Sequence, residues 1–439
     1  MTNGSSKNPN INKRTSTSAG IVLIFAAAMT TLLLASSATT AQTETVLYSF
    51  SNPSDNVYYP VTSLIADNAG NLYGMAGGGG PSRMGGIFEL SPPAVQGGPW
   101  TETTLYSFLG KPDAGLPSAG LVMDGNGALY GTTAGGGANS VGAVFQLSPP
   151  AVQGGAWTES VLYSFTGANG IGGSYPNSAL VFDKNGNLFG TASSGGSRGG
   201  GTVFRLTPPS TSGGSWGFSV VLSFAGNEDS SGGCNPGASL LLGPDGSFFG
   251  TTRSCGANDG GVAYKLTPPL DGGQWTETVI HTFGPYNTSG DGNQPEANLV
   301  SGPGGALFGT TFIGGASDSG TVFELSPPSA KGGAWTETIL HSFAAVEGNN
   351  PACALALTAG GSLYGTTVAG GANGQGAVFM LTPPAISGDP WIEVTLFSFS
   401  STGGSGQFPD AGLLLLKGAF YGTTAYGGTL GGGNVFKIF

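Results

Sequence analysis

Gly-Ala-Leu-Tyr-Gly-Thr-Thr, running from Gly127 to Thr133, returns in variant form along the chain. LYGMA, LYGTT, LFGTA, FFGTT, LFGTT, LYGTT and FYGTT centre on Gly74, Gly131, Gly190, Gly250, Gly309, Gly365 and Gly422. The seven copies are spaced by 56 to 60 residues. A period that long, carried by short apolar runs between Gly and Pro, belongs to a propeller or an array rather than to one irregular globule.

Each copy sits in a repeat of four strand-like segments. The first follows a proline: Pro60, Pro117, Pro176, Pro236, Pro295, Pro351 and Pro409 each precede, by four residues, Leu64, Leu121, Leu180, Leu240, Leu299, Leu355 and Leu413. Small residues such as Ala119, Gly120, Ser178 and Ala179 fill the gap, as crowding near a ring axis would require. The second segment is the quoted stretch, entered through Asp/Gly turns such as Asp124 to Gly127 and Asp183 to Gly186. Calcium takes six or more oxygens, and these turns offer too few carboxylates, so they read as plain turns.

The third segment is VFQL or a variant, centred on Phe88, Phe145, Phe204, Tyr264, Phe323, Phe379 and Phe436. In all but the last repeat it ends at Ser/Thr-Pro-Pro, where a residue without an amide hydrogen stops the ladder. The fourth starts at Trp100, Trp157, Trp216, Trp275, Trp335 or Trp391 and continues as WTETTLYSF or a relative of it. Alternating Thr and aromatic residues suit an outermost strand with one wetter face. Its acid, at Glu102, Glu159, Glu277, Glu337 and Glu393, is expected on an exposed edge, where charge discourages pairing with another sheet.

Counting segments predicts how the ring closes. Glu44-Thr-Val-Leu-Tyr-Ser-Phe50 is a fourth segment with no preceding three, and Val435 to Phe439 is a third with no fourth. The N-terminal strand therefore completes the last blade, giving an all-β, seven-bladed propeller of four-stranded blades over residues 42–439. Closing a ring in this way protects the sheet edges. An open solenoid would carry atypical capping repeats at both ends.

At this point the recurring LYSF, GNLYGTT and GGxVFxLxPP pieces resemble the GloVer-type tandem repeats of bacterial "choice-of-anchor" secreted proteins, from Glu44 onward. The resemblance implies an exported, propeller-like surface or extracellular protein and no established reaction. Members of that group often end in a sorting or anchoring segment, and none is expected here.

The N-terminus agrees with export. Residues 1–20 are polar and basic, Ile21 to Leu34 is an apolar run of 14 residues broken by Thr30 and Thr31, and Ala35 to Ala41 is small and polar. That order predicts a secretory signal peptide over residues 1–41, cleaved after Ala38 or Ala41. The run is short of the roughly 20 residues needed to span a bilayer, so no membrane insertion is expected after cleavage. Removing Lys7, Lys13 and Arg14 leaves 10 bases against 24 acids, a balance of −14. Nucleic acid and anionic membrane reward clustered Lys and Arg, so neither is expected as a partner.

Function is expected where the repeats differ. The loops after YGTT and those leading to each proline vary in length and content, and both fall on one face of the ring. Variable loops on a repeated scaffold are the usual place for binding. That face carries Tyr58, Tyr59, Tyr175, Tyr286, Phe408 and Tyr426, with Arg83, Arg198 and Arg253. Tyr59, Tyr175, Phe408, Tyr426 and Arg253 are the candidate ligand contacts, for stacking on sugar rings and bonding to their hydroxyls. Those aromatics beside proline also have a simpler use in packing their own loop. The face with the Asp-Gly turns, whose connections hardly vary, is expected to be structural.

No nucleophile elbow, phosphate-binding, dinucleotide or zinc motif is present. His281 and His341 replace the tyrosine of LYSF and read as substituted scaffold aromatics, with no third metal ligand in view. No catalytic residue, metal or cofactor is therefore expected. Cys234 precedes the first strand of its repeat and Cys255 follows the second; antiparallel neighbours bring such ends together, which predicts a disulfide in an exported chain. Cys353 is expected to be a buried free thiol. The expected product is a monomeric, secreted or cell-surface (or periplasmic) binding module for an extracellular glycan or cell-surface component, without enzymatic activity. An extracellular carbohydrate-active hydrolase or lyase and a structural envelope component are the competing expectations.

Overall fold

The structure is a computed structural model. It describes Met1 and Thr43–Phe439 except residues 52–56, 153, 168–169, 212, 227–231, 271, 286–289, 331 and 387; the expected signal peptide and Tyr286 lie outside the described residues. Thr43–Phe439 forms one seven-bladed propeller of four-stranded antiparallel blades. In blade 2, Val122–Met123, Leu129–Gly136, Ala143–Ser148 and Thr158–Ser164 pair in chain order from axis to rim. In blade 7, Leu414–Leu416, Ala419–Thr424 and Gly431–Ile438 are completed by Thr45–Ser51, which pairs antiparallel with Gly431–Ile438. The ring closes as the segment count predicts.

The glycine of the repeated stretch is a slot for a ring. A Cβ on Gly131 would lie 2.7 Å from the Phe145 side chain, and one on Gly190 would lie 2.6 Å from Phe204. The phenylalanine ending LYSF then packs edge-to-face on the third-strand aromatic of the next blade, as in Phe108 on Phe145 and Phe165 on Phe204, with centroids 5.2 Å apart. Phe50 of the N-terminal strand does the same on Phe88 across the closure. These rings are fully buried, and each contributes about 2 kcal/mol of apolar burial.

Two further contacts repeat between blades. Thr132 Oγ1 donates to the Ser178 carbonyl at 2.9 Å, and Thr423 Oγ1 donates to the Thr62 carbonyl at 3.2 Å across the closure. The proline that opens each blade also sits against a glycine of the preceding one. A Cβ on Gly142 would meet the Pro176 ring, and one on Gly433 would meet Pro60. Both glycines have positive φ, so the seat needs glycine for conformation as well as for room.

The acids of the fourth strand are not on an exposed edge. Pairing of third and fourth strands skips one residue in every blade, for instance Leu162 between Val144↔Tyr163 and Phe145↔Val161. Such a bulge reverses the alternation of side chains beyond it. Glu159 therefore faces blade 1, where its charge acts on Tyr106, whereas Tyr163 faces blade 3 and stacks on Phe218 at 3.6 Å. The acids are half-buried in seams between blades, and the edge-guarding expectation is corrected accordingly.

Candidate functional site

The first strand enters the ring from the variable-loop face, and its opening residues build that face. The residue before each blade-opening proline is left-handed: Tyr59, Leu116, Tyr175, Asn235, Gln294, Asn350 and Phe408 all have φ between 54° and 60°. Bulky side chains rarely adopt this conformation, and the surrounding scaffold must impose it. The amide of Tyr175 donates to Val141 in the preceding blade at 2.9 Å, while its carbonyl accepts from Ser193 in its own blade at 3.2 Å. Asn235, Gln294, Asn350 and Phe408 are held by the same two bonds. The backbone is thus identical from blade to blade, and only the side chain differs.

Those side chains divide the face. Blades 7, 1, 2 and 3 carry Phe408, Tyr59, Leu116 and Tyr175, an apolar arc; blades 4, 5 and 6 carry Asn235, Gln294 and Asn350, an amide arc. Phe408 and Tyr59 flank Tyr426, whose ring centroid lies 6.1 Å from Phe408 and 4.7 Å from Tyr59. Tyr58 packs edge-on against Tyr59 at 4.6 Å. Three of the five expected ligand contacts therefore form one cluster at the ring closure. Tyr175 stands further round the ring with 47% of its surface exposed, as does Leu116 with 46%.

Arg253 belongs to the amide arc. It forms an ion pair with Glu296 at 2.7 Å and donates to Gln294 Oε1 at 3.3 Å, linking blades 4 and 5. Its charge is thereby partly spent within the protein. The disulfide joins Cys234 and Cys255 beside it, with Cα atoms 5.4 Å apart, and Cys353 is the buried free thiol.

Inside these arcs the residues after the prolines surround a cavity of about 210 Å³ on the ring axis. They are small or neutral in five blades, at Val61, Ser118, Asn177, Gly237 and Ala352, and acidic in two, at Glu296 and Asp410. Desolvation raises the Asp410 carboxyl to about 6, although the residue is exposed at the mouth. Burial also raises the Glu296 carboxyl; Arg253 opposes the rise and the Asp410 charge adds to it. The mouth thus holds two acids of raised pKa, with the charge of Asp410 disfavouring ionisation of Glu296. Sequence reasoning missed this pair, whose signal is an acid directly following the blade-opening proline.

Elsewhere the fold assembles groups the sequence kept apart. His281 and Glu337, on the fourth strands of blades 4 and 5, meet Asp291 from the intervening loop, and their ligand atoms lie within 4.8 Å of one another. Asp291 and Glu337 are thus ligand-type groups beside His281 that the sequence does not bring into view. On the opposite face a pocket of about 550 Å³ lies between blades 3 and 4, so that face is not featureless. Its aromatics Phe189 and Phe248 are at least 98% buried, and Trp275, which also lines it, is half-buried.

The architecture has known counterparts. Virginiamycin B lyase from Staphylococcus aureus is similar at 15% identity and a TM-score of 0.52, over 90% of this chain and 98% of that one. A catalytically inactive variant of that enzyme, with quinupristin, matches over the same shares at 15% identity and a TM-score of 0.50. A putative oxidoreductase (glucose dehydrogenase) from Thermus thermophilus matches at 18% identity and a TM-score of 0.40, over 74% of this chain and 94% of that one. At such identities the first two show the fold alone, and the third carries no argument. No curated protein sequence matches the chain significantly. The Gloeobacter/Verrucomicrobia repeat model matches residues 34–242 and again 235–439, nearly the whole propeller, and the chain belongs to that repeat family.

Proposed function

We propose that the protein is an exported binding module whose variable-loop face recognises an extracellular polysaccharide. The observation that carries this reading is the division of seven equivalent left-handed positions into an apolar arc and an amide arc. A sugar chain has apolar ring faces and a hydroxyl-rich edge, so Tyr59, Tyr175, Phe408 and Tyr426 suit the former. Asn235, Gln294, Asn350 and Arg253 suit the latter, with donors and acceptors held on fixed backbone. The disulfide supports an oxidising compartment. Among the described residues no helix is long and apolar enough to cross a membrane. Glycan-array binding by the full chain is expected, and changing Tyr59, Tyr175 and Phe408 together to Ala is expected to weaken it by about 100-fold. Binding undiminished by the triple change removes the reading.

Glu296 and Asp410 favour a second reading, in which a bound polysaccharide is also cleaved at the channel mouth. Two carboxyls of raised pKa lining one cavity are the equipment of general acid and base catalysis on a glycosidic bond. Product release from a bound glycan, lost in both Glu296→Gln and Asp410→Asn while binding persists, would establish it. Binding without turnover would leave the first reading alone.

A further inference from the structure

The seams between blades provide an internal comparison. In the seam of blades 1 and 2, the Tyr106 hydroxyl donates to Asp113 Oδ2 at 3.1 Å beside Glu159. That tyrosine supplies a proton to the acid it meets. In the seam of blades 5 and 6, His341 Nε2 lies 3.2 Å from Glu347 Oε2, which also accepts the Ala344 amide at 3.1 Å. Both seams pair the ring group at this position from within, although Glu159 Oε1 is left without a partner.

The seam of blades 4 and 5 leaves its histidine unpaired. His281 Nε2, Asp291 Oδ1 and Glu337 Oε1 are each shielded from solvent without a hydrogen-bond partner. His281 Nε2 lies 3.4 Å from Glu337 Oε2, outside hydrogen-bond geometry. Unpartnered buried polar atoms are costly, and here the three residues that carry them also bring one ligand atom each to within 4.8 Å of one another. Replacing the seam tyrosine by histidine removes a donor hydroxyl and puts a ring nitrogen able to offer a lone pair in its place.

We propose that His281, Asp291 and Glu337 bind a divalent transition-metal cation, of the Zn²⁺ or Mn²⁺ kind, across the seam of blades 4 and 5. One imidazole and two carboxylates match the donors such ions take, whereas Ca²⁺ takes six to eight oxygens. A cation among donor atoms within 4.8 Å of one another reaches all three after small side-chain rotations. It pins together the outer strands of the two blades that also hold the Arg253–Glu296 pair. Water or a ligand group completes its coordination.

Calorimetric titration of the full chain with Zn²⁺, Mn²⁺ and Ca²⁺ at neutral pH tests the site. Saturable binding of Zn²⁺ or Mn²⁺ with a rise in Tm is expected, and none with Ca²⁺. His281→Tyr installs the residue that serves the seam of blades 1 and 2, so it is expected to keep the metal-free Tm while weakening binding by roughly tenfold or more. Asp291→Asn, a smaller change, is expected to weaken binding likewise, and His341→Tyr is expected to leave it intact. Absence of saturable binding by the unaltered protein overturns the proposal. So does affinity retained in both His281→Tyr and Asp291→Asn, or lost in His341→Tyr.

Discussion

The apolar arc of blades 7, 1, 2 and 3 and the amide arc of blades 4, 5 and 6 stand on one backbone. Tyr175 and Asn235 share φ within a few degrees, at 54° and 59°, and the same pair of inter-blade hydrogen bonds. Their side chains nevertheless belong to different chemistry. The amide half also carries Arg253, Glu296, both histidines and the disulfide. The repeat keeps its seats, the glycine slots, prolines and buried phenylalanines, and varies what the seats present.

The largest expected effect comes from destroying a seat. Gly142 has φ of +110°, and a Cβ there would lie 2.4 Å from the Pro176 ring and 2.6 Å from the Thr133 carbonyl. Gly142→Ala is predicted to destabilise the propeller by about 3 kcal/mol or more, measured by denaturant unfolding. A loss below about 1 kcal/mol would mean that the two arcs are not set by the inter-blade seats.

A smaller effect is expected from the seams. Burial and the neighbouring Asp113 raise the Glu159 carboxyl to about 8, and burial raises Glu44 and Glu393 to about 7. Groups raised in the folded state contribute stability that is complete below their unfolded pKa of about 4.5 and is lost as pH rises through the folded value. His281 and His341, lowered by burial, act in the opposite direction below about pH 6.5. With the carboxyls dominant, Tm is predicted to fall between about pH 6.5 and pH 8, and Glu159→Gln to flatten that fall. A Tm that rises over this interval contradicts the seam assignment.

The smallest effect concerns strain at the face. Asn tolerates the left-handed region better than Tyr, and Tyr175 is nearly half exposed, so Tyr175→Asn is predicted to change stability by at most about 0.5 kcal/mol, towards greater stability. The same substitution extends the amide arc by one blade and is predicted to weaken glycan binding. A destabilised variant would show that Tyr175 packs its loop rather than serving a ligand.

Most of the fold is legible in the sequence because each feature occurs seven times. The glycine at Gly131 and its equivalents announces the slot, and Glu44 to Phe50 without three preceding strands announces the closure. The disulfide is legible from the ends that Cys234 and Cys255 occupy. Left-handed backbone at Tyr59, Leu116 and Phe408 is not legible, since none of these residue types signals positive φ. Aligning the positions before the seven prolines exposes the arcs, but only the inter-blade bonds explain the conformation. Unbroken alternation through WTETTLYSF would place the acids on an exposed edge; the bulge at Leu162 and its equivalents instead turns Glu and Tyr towards opposite neighbours. Asp291 escaped notice because it lies in a loop of variable length and meets His281 only when two blades stack.

The central claim is that the face binds through its apolar arc and aligns its ligand through its amide arc. Affinity for an array-selected polysaccharide, measured for the unaltered protein and for two triple-alanine variants, tests it most directly. Removing Tyr59, Tyr175 and Phe408 is predicted to weaken binding by about 100-fold, at about 1 kcal/mol for each stacked ring. Removing Asn235, Gln294 and Asn350 is predicted to weaken it by about tenfold, at a few tenths to 1 kcal/mol for each hydrogen bond. Equal losses from the two arcs, or undiminished binding by the first variant, would contradict the account.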